Sequence, residues 1–264
     1  MRTSIIMAIA ALSAATVFGD VAGSITSTNG GTQKGMIRWS ARDKAYVITN
    51  GGVELQVKAT DVDEMDINKP AGFDEAVEKV NKGSPASAIP TLQKIVKDYK
   101  RLQWDKTAGR YLAQAYLASD KAEEALKTCQ EIITMDATAA YKGDLAPAYW
   151  SALLALGKSS QLETALDKAF KAGDRFSSGA ALLLRGDMIM KDGNEGVEAA
   201  RKALIDGYLR VVLLYKEEAV ASRLQPEALW KAARCFEKLN QSGRADSMRS
   251  ELKRLYANSP WASK

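Results

Sequence analysis

Five sets of small or apolar residues recur along this chain with the same internal spacing, four residues and then three. They are Ala88/Leu92/Ile95, Ala125/Cys129/Ile132, Ala165/Ala169/Ala172, Leu204/Tyr208/Val211 and Ala245/Arg249/Leu252, with Arg249 the one poor fit. Positions i, i+4 and i+7 share one face of an α-helix, so each set predicts a helix with one buried stripe. The first members of the sets follow one another at intervals of 37 to 41 residues. A period of that size is the mark of a helical solenoid, in which each unit buries its apolar face on the next. Such an array presents a groove rather than a closed pocket, which favours a binding protein over a catalyst.

Residues 20–70 follow a different rule. Lys34–Ser40, Ala45–Thr49 and Val53–Lys58 are short runs rich in β-branched and aromatic residues. The third alternates, so Val53, Leu55 and Val57 are expected on one face. Asn50-Gly51-Gly52 between two runs is a hairpin turn, because Asn and Gly tolerate positive φ. Val21–Thr26 supplies an earlier strand and Glu64–Asn68 a closing one. Five short antiparallel strands with tight turns resemble a small SH3-like or Sm-like β-barrel, carried here by Gly35/Ile37, Tyr46/Ile48 and Gly52/Val57. The acidic run Asp61–Asp66 reads as a charged turn and edge strand rather than a calcium loop, since it lacks the turn glycine and distal glutamate of an EF-hand. The expected fold class is therefore α+β, a small antiparallel barrel over 20–70 followed by an all-α superhelical array over 71–264.

Residues 1–19 read as an export signal: Arg2 precedes an apolar run from Ile5 to Phe18 that ends near small residues. The run is shorter than the roughly 20 residues of a membrane span, so the mature chain is expected to be exported, periplasmic or secreted, without a span. Export would permit a disulfide. Cys129 and Cys235, however, sit at packing positions two repeats apart, and are expected to be buried free thiols. The chain has no histidine, which excludes Ser-His-Asp and Cys-His catalysis and His-ligated metals. Nucleotide and hydrolase motifs are also missing, so no enzyme activity, metal or cofactor is expected. The net charge of +5 is spread among acids rather than gathered in a basic block. Nucleic acid is accordingly not an expected partner, although Arg38, Arg42, Lys44, Trp39 and Tyr46 would be the residues to carry it.

In the helical part, Leu112-Ala113, Tyr116, Ala125 and Ile132 stand at the packing positions of the tetratricopeptide repeat, as do Leu229, Ala232-Ala233, Phe236, Ala245, Leu252 and Tyr256. The ending Glu251–Pro260 resembles the close of exported bacterial envelope repeat proteins of the Tol-Pal and outer-membrane assembly type, with Ala257 replacing a proline. That resemblance implies about five helix pairs whose first helices line a concave face. On that face the helical spacing places Arg110, Gln114, Trp150, Leu154, Asp187, Trp230 and Arg234. The implied function is a non-catalytic scaffold that holds a segment of an envelope protein. The alternative is a wall-polysaccharide binder that uses the groove tryptophans as stacking platforms. A carboxylate-based hydrolase is disfavoured because the acids fall on solvated helix faces.

Overall fold

The computed structural model describes residues 20–264, so the expected export signal lies outside the described residues. Two compact units are present. One runs to Asn68 and takes in Lys97–Leu102, and the other comprises Lys69–Val96 and Gln103–Lys264.

The first unit is built on a five-stranded antiparallel sheet. Its strands are β1 (Val21–Ser27), β2 (Thr32–Ser40), β3 (Ala45–Asn50), β4 (Val53–Lys58) and β5 (Val62–Ile67), in the order β4-β3-β2-β1-β5. Every predicted run is a strand. The Asn50↔Val53 pairing leaves a two-residue loop in which Gly51 and Gly52 both have positive φ, the primed turn that suits strand twist. Pairings such as Val21↔Ile37, Ile37↔Ile48 and Trp39↔Tyr46 put one apolar face together, in which Val21, Ile25, Ile37, Trp39, Ile48, Val57 and Ile67 are buried. At Gly23 and Gly35 a side chain would run into the carbonyls of Asp66 and Thr49 on neighbouring strands. Only glycine lets those backbones approach so closely.

One expectation needs correction. The sheet is open, not a closed barrel: β4 and β5 are its two edges and do not pair with each other. The three alternating β4 residues share one face, and of them Val57 is buried while Val53 and Leu55 are exposed. An edge strand has a neighbour on one side only, and Val53 and Leu55 lie at its hairpin end, where no further strand covers them.

The second unit is helical. Its elements are α1 (Phe73–Asn81), α2 (Pro85–Asp98), α3 (Trp104–Leu117), α4 (Ala122–Met135), α5 (Ala146–Ala155), α6 (Ser159–Ala172), α7 (Arg175–Asp192), α8 (Val197–Ala203), α9 (Leu209–Leu214), α10 (Glu218–Lys238) and α11 (Ser242–Leu255). A π turn, Leu204–Tyr208, makes α8 and α9 one continuous element. The five sequence sets fall on α2, α4, α6, the α8–α9 element and α11, the second members of five successive helix pairs. All of their residues are buried except Ala172 and Arg249.

The turns inside the pairs repeat the same backbone geometry. The amides of Ser84, Lys121, Lys158, Glu195 and Gln241 each donate to the carbonyl five residues back, at Lys79, Tyr116, Leu153, Met190 and Phe236. The residue before each donor, Gly83, Asp120, Gly157, Asn194 and Asn240, has positive φ. This is the Schellman stop, which satisfies orphan carbonyls at a helix end. Gly83, Asp120, Gly157 and Asn194 are spaced by 37 residues each, a more regular period than that of the packing sets. First helices also pack on first helices: α1 on α3, α3 on α5, α5 on α7 and α7 on α10.

The fourth pair departs from its neighbours in two ways. Gly207 in the π turn lies against Gly186 of α7, so closely that a Cβ would sit 2.9 Å from both the Gly186 Cα and the Leu182 carbonyl oxygen. The carbonyls that end α9 are capped from α10: the buried Gln225 amide donates to Val211 and Tyr215, both at 2.9 Å. Without Gln225 the Tyr215 carbonyl would be left with no donor, while Val211 would keep only the Tyr215 amide.

Candidate functional site

Three successive first helices, α5, α7 and α10, bring four of the seven predicted groove residues into one cleft. Leu154 comes from the end of α5, Asp187 from α7, and Trp230 and Arg234 from α10. Tyr208, Met190, Lys231 and Lys238 complete the walls of a space of about 510 Å³. Trp230 and Arg234 also wall an adjoining cleft of about 410 Å³, with Arg249, Trp261 and Lys264 opposite.

A polar network lies in the main cleft. Lys231 pairs with Asp187 at 2.6 Å and with Glu227 one helical turn before it. The Tyr208 hydroxyl donates to the other Asp187 oxygen at 2.8 Å. Burial works against the Lys231 cation, but Glu227 and Asp187 outweigh it and its pKa is raised. Burial pushes the Asp187 carboxyl up, opposed by Lys231. Burial and then the neighbouring Asp187 push the Tyr208 hydroxyl up. Lys231 is thus held as a cation and Tyr208 as a neutral donor, and both Asp187 oxygens are occupied. This arrangement fixes charges in a cleft wall and positions the α7–α10 contact.

The cleft's rim carries aromatic and cationic groups. The Trp230 and Trp261 rings stack at a tilt, with centroids 5.1 Å apart. The Arg234 guanidinium lies 4.9 Å from the Trp230 centroid, and the Lys264 ammonium 3.8 Å from that of Trp261. Arg249 instead pairs with Glu237.

Arg110 and Gln114 belong to a separate, smaller cleft with Phe176, Leu183 and Arg223. There Asp144 accepts from Arg110 at 3.2 Å and from Arg223 at 2.6 Å, tying α3 to the start of α10. Arg223 also covers the Phe176 ring.

Trp150 is not a groove residue. It is fully buried, and its indole N–H donates to the Ala140 carbonyl at 2.8 Å. A first helix flanked by α3, α4, α6 and α7 spends this side chain sealing the turn that precedes it. Spacing on one helix could not tell a face open to solvent from one covered by a distant loop. Helical spacing did not find Lys231 and Tyr208 in this cleft, nor Glu227, which lines the Arg110 cleft. The i, i+4 pair Glu227/Lys231 is visible in the sequence, whereas the link from Lys231 to Asp187 is not.

Of the residues that could have carried nucleic acid, Trp39 is buried in the sheet face and Arg38 pairs with Glu54 at 2.9 Å. Cys129 and Cys235 are free and buried, and burial pushes their thiols up to about 12 and about 11. Among the described residues, no group of three or more His, Cys, Asp or Glu side chains is placed to hold a metal ion. No described helix is long and apolar enough to cross a membrane. No family model matches the chain, and neither does any curated protein or solved structure.

Proposed function

We propose that this chain is an exported, non-catalytic scaffold of the tetratricopeptide type, whose helix pairs stack as a solenoid and hold a segment of an envelope protein along their first helices. One observation carries the reading: Leu154, Asp187, Trp230 and Arg234, drawn from three different helix pairs, line a single cleft. An extended or helical segment crossing such a surface meets one unit after another, so affinity and register are spread over several units. The recurrence of one turn geometry in five pairs supports the solenoid part of this reading. The cleft offers an aromatic anchor beside an arginine, the residue types that dominate binding energy at protein interfaces.

The polysaccharide reading is weaker. A sugar chain would need open aromatic faces in successive units, yet Trp150 is fully buried, which leaves no row of tryptophans along the first helices.

The test is a photo-crosslinking side chain placed at Arg234 and, as a control, at Lys168 on the exposed side of α6. The expected result is a discrete protein adduct in envelope preparations from position 234, absent from position 168 and lost when Trp230 is also changed to Ala. Equal labelling from both positions, or an adduct indifferent to Trp230, would reject this groove.

A further inference from the structure

Eight large hydrophobic side chains are exposed among the described residues, and four of them, Val197, Ile205, Leu213 and Leu214, lie on the single α8–α9 element. Such clustering is unusual for a solvent-facing helix and marks a contact surface. Ile205, the half-buried Leu209 and Leu213 follow at four-residue steps and form one stripe, while Leu204, Tyr208, Val211 and Val212 face the core. Along one flank of the stripe runs a second row at the same spacing: Lys202, Asp206 and Arg210. None of these three makes an ion pair among the described residues, although they sit among charged neighbours that do.

We propose that this stripe is the contact between two copies of the chain, related by a two-fold axis normal to the paired helices. In an antiparallel pairing centred on Leu209, Ile205 faces the partner's Leu213. The same rotation keeps the charged row on the same side of both helices. Asp206 therefore lies beside the partner's Arg210, and the contact occurs twice because a two-fold interface is self-complementary. Charge decides against a bilayer as the occupant. An anionic surface attracts Lys202 and Arg210 but repels Asp206 between them, whereas a second copy satisfies both signs. Ile205 to Leu213 spans about 12 Å at the helical rise of about 1.5 Å per residue. A contact of that length belongs with the small, transient class of interfaces. The inference does not depend on the groove reading.

Analytical ultracentrifugation of the intact protein over a concentration series tests it. The expected outcome is a reversible monomer–dimer equilibrium. Leu213→Asp, at a solvent-facing position where circular dichroism can check the fold, should weaken it about tenfold or more. Asp206→Arg and Arg210→Asp each oppose like charges in a homodimer and should weaken it similarly, about tenfold. An equimolar mixture of those two variants opposes unlike charges at both contacts, and association should return. A wild-type protein that stays monomeric throughout would overturn the proposal, as would a mixture no more associated than its components. Flotation of the wild type with phosphatidylglycerol vesicles, abolished by Leu213→Asp, would assign the stripe to a lipid surface instead.

Discussion

Single side chains in this protein illustrate how partners, rather than residue type, set behaviour. Asp136 closes α4 and caps the short turn that follows, accepting from the Thr138 amide at 3.1 Å and from Lys106 at 2.7 Å. The Lys106 hydrogen bond, then that of Thr138, hold its carboxyl at about 2, below the ordinary 3.8. Because the folded value lies below the unfolded one, the stabilisation is present above about pH 4 and is lost as pH falls toward 2. Lys106 is half exposed, so solvent screening reduces the contribution to about 1 kcal/mol. Asp136→Asn should lower stability by that amount at neutral pH and flatten the acid limb of a stability–pH curve measured by urea unfolding. An unchanged acid limb would show that the lysine contact contributes nothing. Trp150 carries the complementary lesson: tryptophan on a first helix is legible as large and amphipathic, but the carbonyl that accepts its N–H lies on a turn ten residues away.

Elements were legible where the pattern is local. All five strands follow from alternation and turn chemistry, and the five second helices from the four-then-three spacing. Sheet closure was not legible, because whether β4 meets β5 depends on twist accumulated over the whole sheet rather than on either strand. The cleft was legible in part: helical spacing put Leu154, Asp187, Trp230 and Arg234 on one face, whereas their grouping apart from Arg110 and Gln114 depends on how far each pair turns from the last. The close crossing of α7 with the π turn is likewise a property of two elements. Gly207 has ordinary helical φ, so alanine there would gain about 1 kcal/mol in helix propensity. Against this, its methyl would press on the Gly186 backbone and the Leu182 carbonyl, neither of which is a flexible side-chain end. Overpacking costs about 1–3 kcal/mol, so the clash should win. Gly207→Ala should lower the denaturation midpoint, and a raised midpoint would mean that the helices can separate freely.

At the scale of the whole molecule, the helical unit is assembled by repetition. The interval from Asp120 to Gly157 is one full step of the turn period, bounded by equivalent left-handed residues. Removing residues 121–157 would connect α3 to α6 through an unchanged stop. Nearest-neighbour packing in repeat arrays predicts a shortened protein that still folds. Circular dichroism should show helix content per residue close to that of the parent, with a sharp thermal transition. A molten, dye-binding product would show instead that contacts across more than one unit, such as Arg110–Asp144–Arg223, are indispensable.

Evenly spaced stops make the length of this protein a countable quantity. Evolution can duplicate or delete such a module by in-frame recombination without redesigning either junction, so the length of the helical unit can change in discrete steps. The interval of 46 residues between Asn194 and Asn240 breaks that cadence, and the surplus falls at the α8–α10 stretch. Duplication across this one irregular member would transmit its extra segment to the copy, which makes it the natural place for the array to acquire a specialised face.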